Sequence, residues 1–198
     1  KRLALATAVA ETARDVSDDP FPLRQVGLCR SWSREEHLLK SRADSLFAQA
    51  RTAFDEGRYG DVLAPGRSAL ERSAALKDDA GQGDALHYLG QAGRRLADYE
   101  SALAWHGQAL QRARQAHDRL RQGRALIDLG DVHERRKDLT QALSLYRQAL
   151  QVLKPPADRQ EAIRALRQIG DVHVATGNFE AAYGTYSQAL IHAEGGQD

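Results

Sequence analysis

The sequence predicts an all-α protein built as a solenoid of antiparallel helix pairs. Three observations carry that prediction: a 40-residue register, small residues at matched places in both helices of each period, and a chain-breaking position midway through each period. Shifted by 40 residues, Leu46, Leu86, Leu126 and Leu166 align, followed four places on by Ala50, Gly90, Gly130 and Gly170. Tyr59, Tyr99, Leu139 and Phe179 align next, then Val62, Ala102, Ala142 and Ala182, and the pairs Ala69-Leu70, Ala109-Leu110, Ala149-Leu150 and Ala189-Leu190 complete the set. The spacing holds without a gap through four copies, and self-similarity at a fixed period of this size marks a stacked repeat.

Side-chain size explains why those positions recur. A leucine and a small residue four places later lie on one face of a helix, and the small residue lets a second helix come close. The second helix brings its own small residue, the alanine at the Ala102 phase. Between the helices stands a breaker: Gly57, Ala97-Asp98, Lys137-Asp138 or Gly177-Asn178. Gly57 and Gly177 supply the left-handed residue that ends a helix. Asp78, Asp118 and Asp158 recur at one phase and are placed to cap the next first helix. Pro155 and Pro156 stop the helix ahead of Asp158. The predicted helices are 33–56, 59–76, 79–96, 99–116, 119–136, 139–153, 158–176 and 179–194. A lone helix pair cannot bury its apolar face, so the pairs stack.

The pattern resembles the tetratricopeptide repeat, whose signature runs W-x₂-L-G-x₂-Y, then A-x₃-F, then A and P. The second copy has Leu86-x₂-Leu89-Gly90, then Ala102-x₃-His106-x₂-Ala109; the third has Leu126-x₂-Leu129-Gly130, then Ala142-x₃-Tyr146-x₂-Ala149. The fourth has Leu166-x₂-Ile169-Gly170, then Ala182-x₃-Tyr186-x₂-Ala189, while the first is degenerate, with Gln49-Ala50 and Gly66 at variant positions. The resemblance covers about residues 43–194. It implies a right-handed superhelical solenoid, with repeats at 43–82, 83–122, 123–162 and 163–198. The 40-residue period is longer than the family's usual 34, similar to the long-repeat subclass of polarity scaffolds and bacterial sensors and regulators.

Residues 1–42 fall outside the register. Pro20 and Pro22 separate two expected helices, 2–16 and 22–31, and Ser33 with Glu36 forms a capping box for the long helix that follows. This segment is expected to form an N-terminal helical cap on the first repeat. At the other end, Leu190 and Ile191 stand where a following unit would pack, so either the chain continues in a further helix or two copies pair there. Starting at Lys1 and lacking methionine, the chain is expected to be a piece of a longer or processed protein.

Composition narrows the classes. The 198 residues are 42% hydrophobic and 28% charged, which fits a folded protein. No run of 18 apolar residues is present, so no membrane-inserted helix is expected. A formal net charge of +1 provides no global field for nucleic acid. The single cysteine, Cys29, excludes an intramolecular disulfide and a four-cysteine zinc site, and is expected to be a small buried apolar residue. It favours a reducing compartment, so the cytoplasm is expected, with the periplasm as the alternative. Arginine outnumbers lysine 23 to 5, a bias of GC-rich, bacterial genomes.

By the same resemblance, the first helices line a concave groove. The lining positions are Asp44, Phe47, Arg51 and Phe54; then Asp84, His87, Gln91 and Arg94; then Arg124, Ile127, Asp131 and Glu134; then Arg164, Arg167, Asp171 and Val174. Two readings of the arginines stay open. Arg124, Arg164 and Arg167 either form a basic patch for an acidic side chain or a peptide C-terminus, or pair with Asp128, Asp131 and Asp171. Phe47 and Phe54 offer an apolar floor. The chaperone-binding subfamily clamps a terminal carboxylate with a lysine and paired asparagines; Gln91 and Asp131 replace those asparagines, so that activity is not expected. Trp105, on a second helix, is either packed in the seam between units or exposed as a second contact surface.

No catalytic constellation is present. Gly-Asp-Val-His occurs at 130–133 and 170–173, but Asp and His two apart on a helix point to different faces, and the recurrence is the repeat itself. No H-E-x-x-H, G-x-x-x-x-G-K-[ST] or G-x-S-x-G occurs, so neither enzyme chemistry nor a metal or cofactor is expected. The expected function is a non-catalytic scaffold or regulatory module that binds a protein or peptide, including one with an acidic group, on the concave groove. The alternatives are a ligand- or signal-peptide-sensing domain of a bacterial signalling protein, and a self-association module that forms a homodimer through its C-terminal end.

Overall fold

The computed structural model describes residues 27–28 and 31–195. The expected helix 2–16, most of the expected helix 22–31 and Cys29 lie outside the described residues; residues 27, 28 and 31 are helical. Among the described residues there are eight α-helices and no strand. In order they are α1 (Arg34–Asp55), a 3₁₀ turn (Tyr59–Val62), α2 (Leu63–Ala75), α3 (Asp79–Arg95), α4 (Tyr99–Ala116), α5 (Arg119–Arg135), α6 (Leu139–Val152), α7 (Arg159–Ala175) and α8 (Phe179–Glu194). They fall into two compact units that divide between Asp118 and Arg119: α1–α4 and α5–α8.

The turns explain why the boundaries follow the register so closely. Residues Gly57, Ala97, Lys137 and Gly177 occupy one phase and all have positive φ, between 60° and 75°. At each, two backbone bonds close the helix behind it; at Ala97 these are Ala97 N–H to Arg94 and Asp98 N–H to Gly93. That pairing satisfies carbonyls the helix end would leave orphaned. Glycine adopts this geometry at no cost, whereas at Ala97 and Lys137 the register imposes it on residues that disfavour it. Lys77 and His117, at the second turn of the period, are left-handed as well.

One residue then serves two helices. Asp98, Asp138 and Asn178 close the preceding helix with their N–H groups, and their side chains accept from the N–H groups of Ser101, Gln141 and Ala181, each at 3.2 Å. The Ser101 hydroxyl first and the Ser101 backbone N–H second hold the Asp98 carboxyl below its ordinary pKa. The first copy has Arg58 there, which gives no side-chain cap, and Pro65 lacks the N–H that would bond the carbonyl of Asp61. Its second helix therefore starts with a 3₁₀ turn and becomes α-helical only at Leu63. Of the three aspartates expected to cap first helices, Asp78 accepts from Gly81 N–H at 3.0 Å. Asp158 does not cap; it closes its own loop instead, accepting from Lys154 N–H and Arg119 Nε, both at 2.9 Å. Ser33 and Glu36 form the expected capping box on α1.

Close approach within each hairpin depends on the small residues. A Cβ at Gly90, Gly130 or Gly170 would run into the ring of His106, Tyr146 or Tyr186, respectively, so a second-helix ring lies directly on first-helix backbone. The first copy differs: its second helix carries Gly66, where a Cβ would run into the side chain of Leu89 on α3. In the first unit Ala50, Ala53, Val62 and Ala92 form a core, with Phe54, Tyr59, Leu63 and Tyr88 packed on it. In the second unit Tyr146, Leu126, Ile127, Val132 and Val172 are fully enclosed.

Candidate functional site

The first helices of the two units present very different faces. On α1, Phe47, Arg51 and Phe54 follow one another at helical spacing along one stripe. Tyr88, projecting from α3, meets Phe47 edge-on at 5.4 Å and Phe54 at 5.5 Å between ring centroids, and Phe54 meets Tyr59 at 5.3 Å. Each of these rings is half-buried. Edge-to-face geometry is the preferred arrangement for aromatic pairs, and it leaves part of each ring uncovered. His87 stands beside Tyr88 at 5.4 Å, also half-buried. Arg51 is exposed within the stripe and forms no ion pair among the described residues.

The remaining predicted positions of this face are committed. Gln91 is buried and accepts from Arg94 Nη2 at 2.6 Å. Asp44 pairs with Lys40 Nζ at 2.6 Å, and the same amine reaches Asp78 at 2.8 Å. Burial opposes the charge on Lys40, but its hydrogen bonds to Asp44 and Asp78 outweigh that and raise its pKa.

The face of α5 and α7 is closed by ion pairs. Arg164 Nη2 lies 2.6 Å from Asp128 and 2.8 Å from Asp131, and Arg124 lies 2.8 Å from Glu161. The Tyr146 hydroxyl lies 3.0 Å from Asp131 and 2.8 Å from Glu134, its one proton shared between the two carboxylates, and Gln168 donates to Asp131 at 3.0 Å. The Asp128 carboxylate is 1% exposed, and the Arg164 guanidinium helps to offset the cost of burying it. Burial works against the ionised form of Arg164, yet Asp128 and Asp131 more than compensate and its pKa is raised. For Tyr146, burial first and the two carboxylates second push the pKa up, which keeps the phenol a donor.

Of the three arginines expected to act together, Arg124 and Arg164 are therefore ion-paired and Arg167 is exposed without an ion pair among the described residues. Ile127 is fully buried. Asp171 is exposed and accepts from Tyr186 at 2.6 Å. Val174 is 46% exposed. Tyr88 and Glu161 were missed by the sequence reading, although both carried a signal. Tyr88 sits one place from His87, and Glu161 comes 37 residues after Arg124, one helical turn short of the full period.

Trp105 is half-buried on α4, against Gly93 and beneath the Arg67 guanidinium, 5.8 Å from the ring centroid. That is seam packing between helices of the first unit. Among the described residues no group of three His, Cys, Asp or Glu side chains is placed to hold a metal ion, and no helix is long and apolar enough to cross a membrane.

This geometry defines a class: tandem helix hairpins with a side-chain-lined first-helix face in each unit. Comparison narrows the class. Residues 78–154 match the tetratricopeptide repeat family, and the helical-repeat fold of the chain resembles that family's. Such families are generally non-catalytic interaction modules. No curated protein sequence matches the chain.

Solved structures share the fold. Aspartyl phosphate phosphatase F from Bacillus subtilis is 15% identical with a TM-score of 0.74, over 98% of this chain and 50% of its own. A Rap protein complexed with Competence and Sporulation Factor is 17% identical with a TM-score of 0.72, over 78% of this chain and 43% of its own. A putative kinesin light chain from Podosopora anserina with nearly identical TPR-like repeats is 15% identical with a TM-score of 0.61, over 99% of this chain and 97% of its own. The chain thus spans half or less of the Rap and phosphatase proteins, and at these identities the likeness is one of fold.

Proposed function

We propose that the chain is a non-catalytic binding module that holds a protein or peptide on its first-helix face. Phe47, Phe54 and Tyr88 form the anchor. The observation that carries this reading is the half-buried aromatic shelf with an uncommitted guanidinium, Arg51, set into it. Aromatic side chains fixed by their neighbours offer contact area at little entropic cost to the receptor, and such residues dominate binding hot spots. An acidic group on the partner would pair with Arg51 or Arg167, the predicted groove arginines that are exposed and form no ion pair among the described residues. The Rap structure, a complex with Competence and Sporulation Factor, gives the reading a precedent within this fold.

A random peptide library displayed on phage and panned on the 198-residue chain tests it. Selected peptides are expected to bind Phe47→Ala at least about tenfold more weakly, equivalent to about 1.4 kcal/mol. Arg51→Glu is expected to weaken the acidic peptides selectively, and Gln108→Ala, on the exposed side of α4, to change nothing. Failure to enrich any peptide, or equal binding by Phe47→Ala and Arg51→Glu, would sink the proposal.

A further inference from the structure

Exposed large apolar side chains concentrate at the end of the second unit. Val174, Phe179, Tyr183, Leu190 and Ile191 are 46%, 68%, 76%, 57% and 66% exposed, leaving only Leu38 and Leu96 elsewhere among the described residues. Phe179, Tyr183 and Leu190 share one stripe of α8, at helical spacings of four and seven residues. Their counterparts on α6, Leu139, Leu143 and Leu150, are half-buried, and α7 packs against that helix. The counterparts in the first copy, Tyr59 of the 3₁₀ turn and Leu63 and Leu70 of α2, are half-buried too, with α3 against them.

Ile191 separates a repeat-like occupant from another kind. At its phase the earlier copies carry Glu71, Gln111 and Gln151, all exposed. Stacking of a further helix pair therefore leaves this position in water and gives no reason for an isoleucine. A face that includes both the stripe and Ile191 is wider than the one repeat stacking covers.

The geometry points to a second copy of this chain as the occupant, with α8 lying antiparallel on α8 about a two-fold axis near residue 185. That register sets Phe179 against Ile191 of the second copy, and the Tyr183 ring against the small Ser187 of the second copy. The spacing is self-complementary, as an isologous contact requires. α8 carries no lysine or arginine, and its carboxylates, Glu180 and Glu194, are not brought directly opposite one another. The antiparallel arrangement also opposes the two helix dipoles. With two aromatics of about 150–250 Å² each and three aliphatic side chains, the pair would bury on the order of 1,000 Å² in total, the lower end of what a specific interface needs.

Sedimentation velocity of the 198-residue chain across a dilution series should show a reversible dimer. The double variant Tyr183→Asp, Ile191→Gln should self-associate at least tenfold more weakly, with unchanged helix content and melting, because neither side chain is buried. For the register, Phe179→Cys and Ile191→Cys chains, both in a Cys29→Ser background, should form a mixed disulfide when combined and little disulfide alone. A wild-type chain that stays monomeric overturns the proposal, as does a dimer that survives the double variant or the absence of a mixed disulfide. The groove variants Phe47→Ala and Arg51→Glu should dimerise normally, which separates this test from that of peptide binding.

Discussion

The α1/α3 face and the α5/α7 face occupy the same phase of the same repeat, yet they satisfy themselves by opposite means. On α1/α3, rings meet edge-on and stay half-covered, and Arg51 has no carboxylate partner among the described residues. On α5/α7, Arg164 and Arg124 are bound by Asp128, Asp131 and Glu161. Aromatic packing stabilises without saturating a surface, because a ring edge against a ring face leaves apolar area to offer. An ion pair with most of its hydrogen bonds filled leaves little for a partner. Repeat phase thus sets which side chains share a first-helix face, and their chemistry determines whether that face is available.

The sharpest way to break this contrast is to remove Arg164. Arg164→Ala removes the guanidinium that bridges the enclosed Asp128 and Asp131 carboxylates and should cost about 3 kcal/mol, the low end for breaking a buried pair because the arginine is itself 24% exposed. Arg51→Ala, from an exposed and unpaired position, should stay within about 0.5 kcal/mol. Urea unfolding followed by circular dichroism measures both. Equal small losses would mean that the α5/α7 network is electrostatically idle and that the two faces do not differ as described. The large expected loss also makes a joint Arg124, Arg164 and Arg167 alanine variant a poor probe of binding; Arg167→Ala alone tests that arginine without opening the network.

A smaller effect sharpens the contrast within the second unit. Tyr146 and Tyr186 lie one period apart, and each donates to the aspartate 15 residues before it. Tyr146 is fully buried and bonds two carboxylates, whereas Tyr186 is half-buried and bonds one. Tyr146→Phe should therefore cost about 2 kcal/mol, because buried acceptors lose their donor, and Tyr186→Phe less than about 1 kcal/mol, because water replaces the bond. Thermal melting of the two variants gives the comparison directly. A cost for Tyr186→Phe that equals or exceeds that for Tyr146→Phe would show that burial does not set the worth of this bond.

Much of this molecule was legible in its sequence because period and backbone geometry are coupled. Gly57 and Gly177 announced the left-handed turn, and the register carried the same geometry to Ala97 and Lys137, which no propensity would have placed there. The caps were less legible. Asp98, Asp138 and Asn178 were seen as breakers, and their second role, opening the helix that follows, was missed although the phase was in view. Asp158 looked like Asp78 in sequence but is engaged by Lys154 and Arg119, a choice made by a loop that two prolines alter. On the first-helix faces, the resemblance named positions but could not give their partners. Whether Arg164 faces solvent or Asp128 depends on the depth of a neighbouring helix, and Ile127 sinks fully out of reach for the same reason. Period two or 3.6 says which way a side chain points, whereas its pairing depends on the packing between elements far apart in the chain.

The least disruptive test concerns the Tyr186–Asp171 bond. The hydrogen bond to Asp171 is the main reason the phenol is pushed up to about 12 from its ordinary 10.0. A tyrosine whose pKa is raised on folding contributes its stability in full below pH 10, the unfolded value, and loses it as the pH climbs through about 12. Phenolate absorbance of the folded chain should show Tyr186 ionising late, identified as the transition that disappears in Tyr186→Phe. Asp171→Asn replaces a charged acceptor with a neutral one and should bring that transition back toward 10. Because the exposed Arg167 itself favours the phenolate, Arg167→Ala should move the transition the other way. Opposite shifts from the two variants would establish that this stretch of α7 keeps one cation and one anion addressable by a partner. An Asp171→Asn variant with an unmoved Tyr186 transition would show that the bond is not formed in solution.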